Sequence, residues 1–387
     1  MKKQILTIQG FIKDVSYQAH LTHQLEECDF AHFDINAAST SGVILHEQQQ
    51  LAFSKWVSPK RTRSYPFERI YNTLNAQKIA TIIPIIKDEG RDGDLDKVQY
   101  STFSWMNLLN VYVVLGYYDS AEKNLSPEQA HRHKITSQRF NAAFVNEQLR
   151  EILHYRQSAL HWNRTLLENR FTSTFERALT SYRQISEATG VSMHPQKSLE
   201  RYIAKVQADF EQFKTLSLQA SEAASKREIL TTHKHEFLET STKATLVIKN
   251  YLGGQYFLTA DEILFEQHNG QKRLVIQESK NAGQSLLPSV SDIKDGLFKL
   301  VLYSNLDSIS LSGEKIGFAA RLYLTGKCKG RLSLHTASEQ DFTAFFSQNP
   351  DLTTAQQELL RKLQQEAQAN NLEIVVSSHA GGANGAT

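Results

Sequence analysis

Apolar and polar positions change rhythm three times along the chain. Over 78–90, "KIATIIPIIKDEG", apolar residues run almost unbroken, which predicts a buried strand despite the internal Pro84. A second such run, "VYVVLGYY" (111–118), follows, and "SWMNLLN" between them suits a short helix. The first 125 residues therefore predict an N-terminal α/β unit. Beyond it the apolar period lengthens: Leu149, Ile152, Leu153, Tyr155 and Leu160 recur at roughly helical spacing with charge on the other face. Gly190 and Pro195, in "ATGVSMHPQK", break this helical middle (126–230), and "SLERYIAKVQADFEQFKTL" resumes it.

From 252 the strand pattern returns in "QYFLTADEILFE", "KRLVIQESK" and "KIGFAARLYLTG". Between the second and third lies "SVSDIKDGLFKLVLYSNL", a helix over 291–306 with Ser291 as its expected N-cap. An amphipathic helix "TTAQQELLRKLQQEAQANN", a strand "LEIVVSS" and a tail "HAGGANGAT", expected to be disordered, complete the chain. The class is thus α/β in the α+β sense. The expected divisions fall at 1–125, 126–230, 231–345 and 346–387, and there is no internal repeat.

Length supports more than one unit, since 387 residues exceed the usual size of a single domain. A formal net charge of +2 excludes a histone-like blanket of positive charge but leaves room for a local basic groove. Cys28 and Cys328 are too few and too far apart for a disulfide framework or a zinc cluster. With no apolar run long enough to cross a membrane and no signal peptide, a reduced, cytoplasmic protein without membrane contact is expected.

The charges at the strand ends add chemistry. Residues i and i+2 of a strand share a face, so Glu278 and Lys280 emerge together while Gln277 and Ser279 face away. If 259–266 pairs with 272–280, Asp261 comes beside Glu278. Two neighbouring carboxylates call for a cation between them, and so small a set of hard oxygen ligands suits Mg²⁺. Lys280 would then stabilise charge developing on a phosphate or orient the nucleophile.

Asp261, a gap, and Glu278-x-Lys280 at the end of an apolar strand resemble the PD-(D/E)xK nuclease signature. The resemblance covers about 232–333, and the helix and third strand that follow match the order of elements in that fold. Ala260 stands where the pattern often has proline. The resemblance implies a mixed-sheet, restriction-endonuclease-like core at the C-terminal side. It also implies catalysis by Asp261, Glu278 and Lys280, and Mg²⁺ held by Asp261 and Glu278 with a glutamate from the preceding helix. Glu239 fits that last role better than Glu236 by its distance from the strand. A short acid-x-lysine match also arises by chance, in which case Glu278 and Lys280 would be an ordinary surface pair.

In "KDEGRDGDLDK" an EF-hand fails, because Lys97 and Phe103 stand where glycine and glutamate are required, leaving a solvated acidic turn or, as the alternative, a ligand or metal site of the N-terminal unit. "KWVSPKRTRSYPFERIY" interleaves Lys55, Lys60, Arg61, Arg63 and Arg69 with Trp56, Tyr65 and Phe67, a composition suited to nucleic-acid phosphates or to a basic turn packed on its own unit. Lys327 and Lys329 in "TGKCKGR" form a second basic cluster near the expected core. "HRH" (131–133) and "HKH" (233–235) lack the further ligands a zinc site needs.

The resulting expectation is a Mg²⁺-dependent endonuclease of double-stranded DNA resembling type II restriction enzymes. Such enzymes often form homodimers and have a cognate DNA methyltransferase as a genetic partner only. The alternatives are a repair or phage-defence nuclease of the same fold, or a non-catalytic DNA-binding protein.

Overall fold

A computed structural model describes residues 6–60, 65–125, 133–195, 199, 201, 242–250, 255–268 and 270–379. The chain forms two compact units, Gln24–Gln219 and a second made of Met1–His23 with Ala220–Thr387. The N-terminal strand β1 (Leu6–Ile12) thus belongs with the C-terminal half of the sequence, not with 24–125 as the chain order implied. Its partners explain this: it runs parallel to 244–250 and antiparallel to 306–311.

The Gln24–Gln219 unit contains β2 (Glu26–Asp29), β3 (Ser41–His46), β4 (Gln49–Lys55), α1 (Pro66–Tyr71), β5 (Ile79–Pro84), β6 (Ile86–Asp88), β7 (Leu95–Lys97), α2 (Tyr100–Leu108), β8 (Tyr112–Gly116), β9 (Tyr118–Lys123), β10 (Ile135–Phe140), α3 (Ala142–His154), α4 (Ala159–Thr165) and α5 (Phe171–Thr189). Its main sheet runs β2-β3-β4-β5-β8 and is parallel except between β3 and β4. Every residue of β5 and β8 is buried, which accounts for their unbroken apolar runs: strands of parallel sheets are covered on both faces. The expected short helix between them is α2.

The described part of the helical middle is integral to this unit. It opens with strand β10, antiparallel to β9, and α3 lays Val145, Leu149, Ile152 and Leu153 into the core. A π-helical turn (Leu166–Arg170) joins α4 to α5, and Arg170 at its end holds Glu151 with two hydrogen bonds of 3.0 and 2.7 Å. Residues 202–241, with the continuation of the helical pattern and the "HKH" histidines, lie outside the described residues, as does the tail from 380.

The second unit adds β11 (Thr242–Asn250), β12 (Gln255–His268), β13 (Gln271–Asn281), α6 (Val290–Ser304), β14 (Leu306–Leu311), β15 (Glu314–Gly326), β16 (Arg331–Ser333), α7 (Glu339–Gln348), α8 (Thr354–Ala369) and β17 (Glu373–Ser378). β11, β12 and β13 form an antiparallel meander, α6 carries the chain back, and β15 lies parallel to β13. β15 also pairs with β14 near its start and with β17 near its end. The pairings β13-β12-β11-β1-β14-β15 and back to β13 therefore close into a ring, with β17 and β16 continuing from β15.

Helix α6 starts slightly earlier than expected. Ser289, not Ser291, is its N-cap and accepts the Asp292 backbone N–H at 3.1 Å. Both serines are good caps, and Pro288, whose ring disfavours helical geometry in the residue before it, marks the limit beyond which the helix does not extend toward the N-terminus.

Candidate functional site

The side chains that carry chemistry in the C-terminal unit come from the last turns of β13 and from α6. Leu274 through Glu278 are all buried, so the strand enters the core before it reaches its charges. Alternation then points Glu278 and Lys280 at α6, where Asp295 and Lys299, four residues apart, share a helix face. Lys299 Nζ donates to Glu278 Oε1 at 2.7 Å, Lys280 Nζ lies 3.2 Å from the same oxygen, and Lys280 Nζ donates to Asp295 Oδ2 at 2.7 Å. Two acids and two bases thus interlock, with Glu278 fully buried and Lys280 17 % exposed.

The packing that brings them together depends on Gly296. A Cβ there would sit 2.8 Å from Leu322 Cδ1 and 3.2 Å from Lys280 Cε, so glycine lets α6 close over the lysine stem. Burial pulls the Lys280 pKa down, but Glu278 and Asp295 outweigh it and raise the pKa above the ordinary value, with Lys299 opposing. Lys280 is therefore a cation at neutral pH.

The opposite face of β13 behaves as expected from alternation and carries a different cluster. Gln277 Nε2 hydrogen-bonds Glu262 and Ser279 Oγ. Further down, Arg321 of β15 grips Glu266 of β12 through two bonds of 2.7 and 2.9 Å and Glu373 of β17 at 2.6 Å. Arg273 of β13 reaches the same two acids at 3.1 and 2.7 Å. Four strands are tied by this network. Burial raises the Glu266 pKa, but the two arginines outweigh it and leave it below the usual carboxylate value.

β12 opposes β13 with Glu262 facing Gln277 as the last pair of that ladder, and Asp261 follows at the point where the β11–β12 register shifts. The Asp261 side chain and both Glu239 and Glu236 lie outside the described residues. Lys327 and Lys329 are exposed on the loop that leaves β15 at the same end of the parallel pair as Lys280. That loop is pinned to the one after β13: Lys327 N–H donates to Ser285 O at 2.9 Å, and a Cβ at Gly326 would meet Leu286 O at 2.1 Å.

The basic–aromatic segment looks different folded. Trp56 and Phe67 are buried, with rings 6.4 Å apart edge-to-face, and so cannot stack on bases. Lys55 Nζ donates to the carbonyls of Ile35 at 2.9 Å and Ala38 at 2.5 Å, and Arg69 donates to Lys55 O at 2.5 Å. Burial lowers the pKa of both cations. Lys60 is exposed, while Arg61 and Arg63 lie outside the described residues.

In the acidic run, Asp92 and Asp94 are exposed as a solvated turn requires, but Asp88 and Asp96 are buried. Asp96 accepts from Ser58 Oγ at 2.8 Å. Asp88 accepts the N–H groups of Gly90 and His194 at 2.9 and 3.1 Å, with His194 Nδ1 2.9 Å away.

Asp295 and Lys299 are the site residues that sequence reasoning missed. A usable signal existed: in "SDIKDGLFKLVL" they are charges at i,i+4 on a largely apolar helix following the E-x-K strand. Among the described residues, no group of three or more His, Cys, Asp or Glu side chains converges as a metal cage, and no helix is long and apolar enough to cross a membrane. No protein-family model, no curated protein and no solved structure matches the chain.

Proposed function

We propose that the C-terminal unit is a Mg²⁺-dependent nuclease of the PD-(D/E)xK type that hydrolyses phosphodiester bonds in double-stranded DNA, in the manner of a type II restriction endonuclease. The observation that carries this reading is the convergence of Glu278 and Lys280 at the end of β13, beside the strand that bears Asp261. The meander β11–β12–β13, the return through α6 and the parallel β15 follow the order of elements implied by the resemblance.

The donor chemistry fits the metal. Glu278 is a buried carboxylate on which two ammonium groups already converge, and Asp261 is the residue next to Glu262 on the adjacent strand. Mg²⁺ is commonly held by one or two carboxylates and water, so a larger acidic cage is not required. When bound there, Mg²⁺ would polarise the phosphate and lower the pKa of a water nucleophile.

Lys280 keeps its proton at neutral pH because two acids flank it, so it acts as a fixed positive charge beside the phosphate rather than as a base. Asp295 orients the ammonium, and Lys299 holds the Glu278 carboxylate against α6. Exposed Lys327 and Lys329 lie at the same end of the sheet and would meet DNA phosphates.

The mutual pairing of all four charges favours a second reading, a DNA-binding protein in which Glu278 is a structural counter-ion. Incubating the protein with plasmid DNA and MgCl₂ separates the two. Cleavage lost on chelation and in Glu278→Ala is the expected result; an inert parent protein that still binds DNA sinks the nuclease.

A further inference from the structure

The Gln24–Gln219 unit contains a cleft of about 380 Å³, within the size range of small-molecule sites, whose lining includes Asn36, Lys55, Lys87, Glu89, Lys134 and Gln138. Its walls are fixed before any ligand arrives. Both amide atoms of Asn36 are bonded to the Phe140 backbone, at 2.9 and 2.7 Å. Gln138 accepts from the Tyr182 hydroxyl at 2.7 Å and donates to Asp88 O at 2.8 Å, which anchors it to the buried Asp88 that His194 also contacts. Between Thr136 and Phe140 the β9–β10 ladder slips register, and Ser137, also lining the cleft, adopts a left-handed φ of 51°. Bulges and backbone strain of this kind re-aim side chains next to functional sites.

The charges are uneven: three ammonium groups face one carboxylate. Lys87 and Glu89 pair at 2.9 Å. Lys55 uses two of its three N–H donors on the Ile35 and Ala38 carbonyls, leaving one for a ligand. Lys134 lines the wall formed by β10 and the residue preceding it. A cation would be repelled here, and a neutral molecule would leave the excess positive charge uncompensated. A dianion with several acceptor oxygens satisfies both the charge and the spare donors, and lysines bind phosphate as point charges without a planar fork.

We propose that this cleft is a binding site for a phosphate group, carried on a free nucleotide or on a nucleic-acid backbone. The site rests on the geometry of this unit alone and stands whether or not the other unit cuts DNA. Burial lowers the Lys55 pKa, and an anion in the cleft would oppose that effect.

The test uses the full chain and inorganic phosphate, dAMP and a short DNA duplex as probes, with binding read by thermal protection and by ³¹P NMR line broadening. Lys87→Gln and Lys134→Gln should each weaken binding roughly tenfold, the loss of one charge-assisted hydrogen bond. Lys123→Gln, an exposed lysine on β9 outside the cleft lining, should leave it unchanged. Because Lys134→Gln removes no partner of Glu89, it keeps the test open if Lys87→Gln fails to fold. Loss of dAMP binding with duplex binding intact assigns the site to free nucleotide, and the reverse assigns it to the backbone. A parent chain that binds none of the three probes, or equal weakening in Lys123→Gln, overturns the proposal.

Discussion

Lys299 Nζ lies 2.7 Å from Glu278 Oε1, on the carboxylate that Lys280 also approaches at 3.2 Å. An ammonium and a divalent cation would compete for the same oxygen. Lys299→Met should therefore destabilise the metal-free protein by roughly 2 kcal/mol, the worth of a hydrogen bond between charged groups. It should also enlarge the rise in melting temperature that MgCl₂ produces. Urea unfolding with and without Mg²⁺ measures both, and an unchanged Mg²⁺ effect would mean that Lys299 and the metal do not share Glu278.

Lys280→Ala should lower cleavage by about 10²- to 10³-fold, the usual loss when one group stabilising transition-state charge is removed. Lys280→Arg should recover little, because a planar guanidinium cannot fit between Glu278 and Asp295 as a compact ammonium does. Asp295→Asn should cost less, about tenfold, since it orients Lys280 and touches no reacting atom; a shift of the alkaline limb of the pH–rate profile to lower pH should accompany it. Single-turnover cleavage on folded variants decides, and full activity of Lys280→Ala would remove it from the chemistry. Asp261→Ala should abolish cleavage while DNA binding persists.

Much of this site was legible because strand alternation is strict. Glu278 and Lys280 had to share a face, and Gln277 and Ser279 the other, once β13 was identified. The i,i+4 spacing of Asp295 and Lys299 marked them as a pair on one helix face, but not that this face meets Glu278 and Lys280, which depends on the crossover that lays α6 on β13 and β15. The same holds for β1, whose place beside β11 depends on a pairing partner more than two hundred residues away. At 55–71 composition left two readings open, a nucleic-acid surface or a basic turn packed on its own unit, and only the fold shows that Trp56 and Phe67 are core and that Lys55 bonds backbone carbonyls. Local sequence records residue type and spacing but not which groups tertiary contacts bury.

The Arg321–Glu266–Glu373–Arg273 network sets an acid limit on stability. The Glu266 pKa is lowered from its ordinary 4.5, so its contribution is present above that value and is lost as pH falls through the lower folded-state value. Arg321 stays charged throughout, its own pKa raised by Glu266 and Glu373 against the effect of burial. Glu266→Gln should lower stability at neutral pH and flatten the acid limb below about pH 5. Urea unfolding from pH 3 to 7 tests this; an acid limb as steep as the parent's would mean the network adds nothing.

Lys55 and Lys60 should separate in a paired measurement of melting temperature and salt dependence. Lys55 ties Ile35 O and Ala38 O together, so Lys55→Ala leaves two half-buried carbonyls without their donor and should cost about 1 kcal/mol. Lys60 is exposed, so Lys60→Ala should leave the melting temperature within a degree or two of the parent. If the segment holds DNA, Lys60→Ala should reduce the slope of log affinity against log salt by about 0.9, one phosphate contact, and Arg61→Ala with Arg63→Ala by roughly twice that. All three should weaken binding alike on every sequence, because phosphate contacts carry no base information. A salt slope unchanged in Lys60→Ala and in the double arginine variant would take 60–63 off the DNA-binding surface and leave affinity to the exposed lysines beyond β15.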